Sequence, residues 1–281
     1  KLIQFMKYYG INGLGINSEF FSDTETMTHL MNFFADCHKK AKEEGWEFQI
    51  HWYDLMTSSG EKSFRNSLNS QNSSILGPDN NKKVDMFFLN YKWGGASLTS
   101  SVNMAKRLPR NSYDIFAGFD IQKDGLNHYG WKSLANQPIS IGFWGAHAQS
   151  LLHQSATDEG TEDIAIQRAY QKKLELVFSG GNRNPAFTPE LSSGTSLSNT
   201  ALKKFHGLAS YLTAKSTISD VPFVSRFNLG NGLKFHNEGK VTFNHKWYNL
   251  NTQDLMPTWR WWITDQNDAV DESSISSFVN T

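Results

Sequence analysis

Asn17 and Glu19 stand two residues apart at the end of a short run of small and apolar residues, Gly13-Leu14-Gly15-Ile16. The run reads as a buried parallel strand, and strand alternation aims side chains two positions apart the same way. A buried strand ending in two convergent polar side chains is what a barrel enzyme builds at its C-terminal rim. An acid placed there can give and take a proton. The same residues would also suit a helix start, with Asn17 or Ser18 as cap and Glu19 favoured by the helix dipole.

Similar strand ends recur along the chain. The stretch 48–53 closes on Tyr53 and Asp54, 85–91 on Asn90 and Tyr91, 113–120 on Asp120, 139–144 on Trp144 and 222–228 on Asn228. Between them lie elements that must hold them in place. Met27, Leu30, Met31, Phe34 and Ala41 form an amphipathic helical pattern after Asp23 and Thr24, stopped by Gly45. A polar helix is expected near 60–72, a second over 97–108 and a third over 161–178. The Gly/Ser/Asn/Pro-rich stretch 179–199 is a loop longer than a compact domain usually carries, which marks it as functional or mobile.

Six strands alternating with helices predict a parallel sheet, and polar strand ends predict a (β/α)₈ TIM barrel. A doubly wound sheet is the rival fold, but no G-x-G-x-x-G or phosphate-binding loop follows any strand. Six strands cannot close an eight-stranded barrel, so this chain is expected to be the C-terminal larger part, with the first strands upstream. Residues 1–264 are expected to form the barrel portion. Residues 265–281, acidic and serine-rich, read as a linker to a following domain. The dense cluster Trp259-Arg260-Trp261-Trp262 is expected to pack against that domain.

Composition excludes several classes. Acidic and basic residues balance at 27 each, so no global field points to nucleic acid or an anionic membrane. No apolar run approaches the ~20 residues of a membrane span. The single Cys37 excludes an internal disulfide and a Cys-based zinc site. The nine His residues show no H-E-x-x-H spacing and are expected in surface or loop roles, so neither metal nor cofactor is expected.

Several separated motifs then agree in order. Asn17-Ser18-Glu19, Trp52-Tyr53-Asp54, Phe87-Phe88-Leu89-Asn90-Tyr91 with Trp93, and Pro222-Phe223-Val224-Ser225-Arg226-Phe227-Asn228 with Gly230 and Gly232 together resemble glycoside hydrolase family 85, the endo-β-N-acetylglucosaminidases. Within that family the likeness is to the streptococcal endo-D type, and it runs from about residue 1 to about 263. The resemblance implies cleavage, with retention, of the β-1,4 bond between the two core N-acetylglucosamines of N-linked glycans. It implies glycoproteins as partners, further domains in the same polypeptide, and a secreted or cell-wall-associated bacterial protein. It places the catalytic roles on Asn17 and Glu19.

Most retaining glycosidases use two carboxylates about 5 Å apart, substrate-assisted enzymes being the exception. Here Glu19 is the only acid in the motif, and Asn17 is a poor nucleophile. A 2-acetamido sugar needs no protein nucleophile, because its own carbonyl oxygen can attack the anomeric carbon and form an oxazoline. Glu19 would protonate the leaving oxygen and Asn17 would hold the acetamide N–H, with Tyr53 bonding near the same group. Trp93 is the expected stacking wall for the reducing-side sugar. Asn90 and Asp120 are expected to meet sugar hydroxyls, as are Trp144 and Asn228. Phe64 stands where relatives often carry a Trp, at the acceptor side. Two rivals remain: a carbohydrate-binding module that stacks glycans without cleaving them, and a two-carboxylate glycosidase pairing Glu19 with Asp54 or Asp120.

Overall fold

The structure is a computed structural model. It describes residues 1–126, 130–135, 137–145 and 231–248, together with 162–166, 207–211 and scattered positions between 169 and 224. The chain divides into two compact units. One comprises Lys1–His147 with Ser192–Ser196, and the other Ala148–Leu191 with Leu197–Thr281.

Five short strands run parallel in the first unit: β1 (Gly13–Ile16), β2 (Gln49–Tyr53), β3 (Met86–Leu89), β4 (Ile115–Asp120) and β5 (Ser140–Trp144). Each pairs with its neighbour in chain order, and the sheet is a curled α/β half-barrel. That is the barrel architecture expected from the alternation of strands and helices. Helix α1 (Leu2–Tyr9) precedes β1, α2 (Thr24–Glu43) joins β1 to β2, and α4 (Gly95–Arg107) joins β3 to β4. The β2–β3 connection holds the single-turn α3 (Ser73–Leu76), and the β4–β5 connection holds α5 (Ile121–Asp124) and α6 (Trp131–Leu134).

Period-two alternation separates the two faces of the sheet. Ile50, Trp52, Phe87, Leu89, Ile115, Ala117 and Phe119 are buried, as are Met27, Phe34, Cys37 and Ala41 of α2 and Leu98, Val102 and Ala105 of α4. Phe34 and Phe20 both meet Trp52 edge-on, at 6.2 and 6.5 Å between ring centroids. The opposite face carries Gly15, His51, Tyr53 and Phe88. Gly118 and Gly142 are register partners there, and a Cβ on either would run into the Phe88 ring. Two glycines side by side thus open the seat that Phe88 fills.

At the start of the strands, Asp85 ties β2, α2 and the β3 approach together. It accepts the Ile50 amide at 2.7 Å and pairs with His38 at 3.2 Å and Lys82 at 3.0 Å. Burial pushes its carboxyl up, but these donors outweigh it and hold the group at about 2. The buried Arg110 guanidinium donates to the carbonyls of Leu76, Val84 and Asp85. Polar groups at this end of a barrel serve stability.

One expected element is corrected. The stretch 60–72 is not a helix: it is a looped segment with a bridge between Met56 and Lys62, and helix begins only at Ser73. Its polar side chains bond the local backbone instead. Thr57 Oγ1 accepts from the Glu61 amide, Asn69 Oδ1 from Gln71 and Asn72 Oδ1 from Asn69. Such local bonds compete with helical ones. Gly60, at φ +84°, lies so close to the Asp23 backbone that no Cβ would fit, so this loop leans on the β1–α2 loop.

The second unit contains a hairpin of β7 (Phe235–Asn237) and β8 (Lys240–Phe243), and a short antiparallel pair of β6 (Asn231–Gly232) and β9 (Trp247–Tyr248). Nearly all of the expected strand 222–228, Asn228 included, lies outside the described residues. So do most of the expected helix 161–178, the loop 179–199, Trp259–Trp262 and residues 265–281.

Candidate active site

The ends of β1 to β5 surround a cleft of about 540 Å³, lined by Gly15, Ile16, Asn17, Glu19, His51, Tyr53, Phe88, Tyr91, Asp120 and Trp144. Asn17 and Glu19 enter it together because Ser18 between them turns into the wall. Ser18 is fully buried and its hydroxyl donates to the Tyr53 carbonyl at 2.8 Å. That bond fastens the β1 end to the β2 end and leaves the two flanking side chains on the open side. The cap of α2 is Asp23, whose carboxylate accepts from the Thr26 amide at 2.7 Å, so neither Asn17 nor Ser18 is needed as a cap.

Tyr53 stands in the middle. Its hydroxyl donates to Asn90 Oδ1 at 2.8 Å, and the Tyr91 hydroxyl bonds to it in turn. Burial pushes the Tyr53 phenol up to about 12, reinforced by the charges of Glu19, Asp54 and Asp120. Burial, with the nearby Tyr53, Asp120 and Glu19, raises Tyr91 further still. Both phenols therefore keep their protons at any physiological pH. His51 lies two residues before Tyr53 and faces the same cleft. Burial lowers its pKa against a weaker pull from Asp85, which favours the neutral imidazole.

Of the remaining expected residues, two reach the cleft. Asp120 and Trp144 are register partners at adjacent strand ends, and both line the cleft. Asp120 also caps α5, accepting from the Lys123 amide at 3.1 Å. Phe64 is half exposed and meets the Tyr53 ring edge-on at 6.2 Å, without lining the cleft. Asn90 is buried behind Tyr53, engaged by its hydroxyl rather than open to a ligand.

Trp93 requires correction. It is fully buried, donates its indole N–H to the Gly118 carbonyl at 2.8 Å, and packs edge-on against Phe119 at 5.3 Å, which in turn stacks on Trp131 at 4.2 Å. A ring enclosed by the helix side of the sheet offers no face to a sugar. Asp54 is also buried, and alternation turns it away from Tyr53. Burial raises its carboxyl to about 7, against the Asn72 amide and the backbone amides of Asn66, Asn90 and Ser67, which favour the charged form. It is not part of the cleft, which removes it as a partner for Glu19.

His51 lines the cleft but lies outside the motifs, whereas Tyr91 belongs to one that carries no expected role for it. Counting back two positions from Tyr53 places His51 on its face, so the histidine was within reach of the alternation argument. Among the described residues, no three His, Cys, Asp or Glu side chains come together as a metal site would require, and no helix is long and apolar enough to cross a membrane.

A curled parallel α/β sheet with a cleft at the C-terminal ends of its strands defines the class, a fold of the (β/α)-barrel kind. The chain matches the sequence model of glycosyl hydrolase family 85 over residues 1–235 and belongs to that family. It is 24% identical over 261 residues to a cytosolic endo-beta-N-acetylglucosaminidase of Danio rerio, an alignment that covers 92% of this chain and 31% of that protein. Its fold is similar to the glycoside hydrolase domain of Endo-D from Streptococcus pneumoniae R6, with a TM-score of 0.65 and 24% identity over 93% of this chain and 39% of that one. The chain thus spans about a third of the length of these relatives.

Proposed function

We propose that the cleft cleaves the β-1,4 bond between the two core N-acetylglucosamines of N-linked glycans, with retention and by substrate assistance. The observation that carries this reading is the pairing of one acid and one amide, Glu19 and Asn17, on the same side of the β1 end. Glu19 protonates the leaving oxygen, and later takes a proton from the incoming water or alcohol. Asn17 holds the acetamide N–H so that the carbonyl oxygen attacks the anomeric carbon. The attacking atom is already bound within the substrate, so little further entropy is lost. An alcohol in place of water gives transglycosylation.

Family membership and the activity for which the zebrafish relative is named support the substrate class. The site is proposed to lie within residues 1–264, with 265–281 as a linker. Asp120 and Trp144 provide sugar contacts at the rim, and Asn228 is assigned the same part on the motif alone. Asp120 shares the cleft with Glu19, which keeps a two-carboxylate mechanism as the second reading. The expected secreted or wall-associated location finds no support: the zebrafish relative is named as cytosolic.

Glu19→Gln in the full-length protein tests the assignment. With a glycoprotein as substrate, hydrolysis should fall by about 10²–10⁴-fold, while the unmutated protein should leave a single N-acetylglucosamine on the asparagine, weighed by mass spectrometry. A variant with unmutated turnover would remove Glu19 as the acid.

A further inference from the structure

The side chain that sets the direction of the Tyr53 hydroxyl lies outside the cleft. Asn90 Nδ2 donates to Asn66 Oδ1 at 2.6 Å, and the same oxygen accepts the Lys92 backbone amide at 3.3 Å. A carboxamide has an oxygen that only accepts and a nitrogen that only donates, so its orientation is read from its partners. A backbone N–H cannot reverse. The Lys92 amide therefore requires the Asn66 oxygen, rather than its nitrogen, on that side. That oxygen requires the NH₂ of Asn90, which turns the Asn90 carbonyl towards Tyr53. The Tyr53 proton follows, pointing back to Asn90 at 2.8 Å. Polarity is thus passed through three side chains from one fixed backbone group.

The backbone at Asn66 suits this task. It sits at φ +53°, in the left-handed region that asparagine tolerates better than most residues. From that conformation its amide reaches across the β2–β3 loop to the end of β3. Asn66 does not line the cleft.

We propose that Asn66 is a positioning residue: acting through Asn90, it makes Tyr53 meet the cleft as a hydrogen-bond acceptor. With its proton held by Asn90, the Tyr53 oxygen offers lone pairs to a ligand donor such as an amide N–H or a hydroxyl. The Tyr91 hydroxyl occupies one of these positions. For the sugar substrate this inference rests on the proposed function above, since Tyr53 would then receive an acetamide or sugar donor rather than compete for the attacking carbonyl oxygen.

Two variants separate the polar role from the backbone one. Asn66→Gly keeps the left-handed conformation and removes the acceptor, and Asn66→Asp keeps an acceptor oxygen for both donors. In the full-length enzyme, Asn66→Gly should lower kcat about 3–10-fold, the worth of one lost hydrogen bond, and Asn66→Asp should stay within threefold of the unmutated rate. In a Tyr53→Phe background Asn66→Gly should have no further effect. An equal loss in that background, or unchanged kcat for Asn66→Gly, would overturn the assignment. A substrate-free readout keeps the two proposals apart: solvent exchange of the ¹⁵N-labelled Asn90 side-chain amide. It should be slow in the unmutated protein and in Asn66→Asp, and fast in Asn66→Gly. Fast exchange in the unmutated protein refutes the relay whatever the enzyme cleaves. Slow exchange without glycan cleavage leaves the relay standing and rejects the substrate.

Discussion

At the scale of single residues, the site works by assigning opposite directions to neighbours. Ser18 is turned into the wall so that Asn17 and Glu19 face out, and Asp54 is turned inward so that Tyr53 faces out. Asp54 carries a testable consequence. Its carboxyl is raised to about 7 by burial, so the folded chain holds that proton more tightly than the unfolded chain, whose Asp titrates near 4. The folded state binds more protons between these values, so the Asp54 contribution to stability declines from pH 4 to about 7 and is level above. Asp54→Asn removes that decline. The difference in Tm, variant minus unmutated, should rise across this window, measured by thermal melts at half-unit steps. Parallel curves would show that Asp54 is not held neutral. Asp85 titrates at about 2 and acts below the window.

At the scale of elements, two glycines on neighbouring strands determine where Phe88 can lie. Phe88 floors the cleft because Gly118 and Gly142 leave room beside it. Gly142→Ala places a methyl in that room and should destabilise the protein by about 1–3 kcal/mol, as overpacking does. Adding Phe88→Leu should recover part of the loss by making space. An unchanged melting temperature for the single variant would show that Phe88 moves freely. The elements also mark where local pattern stops being informative. Strands ending in Tyr53, Asp120 and Trp144 were legible from apolar runs closing on polar or aromatic residues. The segment 60–72 was not, because Asn69, Asn72 and Thr57 satisfy the local backbone in a loop that carries helix-like spacing. Trp93 was not legible either. Its place is decided by the Gly118 carbonyl and by Phe119, both more than 20 residues away in the chain. Local sequence shows that a tryptophan follows a strand end, and only the packing of β4 and α6 shows which side it takes.

At the scale of the whole molecule, the half-barrel gathers groups from β1 to β5 at one end and fastens the other end with Asp85 and Arg110. In the proposed mechanism no carboxylate attacks the sugar, and Asn17 orients the group that does. A preformed disaccharide oxazoline supplies the activated intermediate directly, so it bypasses the step Asn17 serves. Full-length Asn17→Ala, given that donor and an acceptor N-acetylglucosamine, should form the transfer product and let it accumulate, because hydrolysing the product requires the lost step. Product yield over time is the measurement. Absence of transfer by a folded Asn17→Ala protein, or a glycosyl-enzyme adduct on Asp120 in the unmutated one, would rule out substrate assistance.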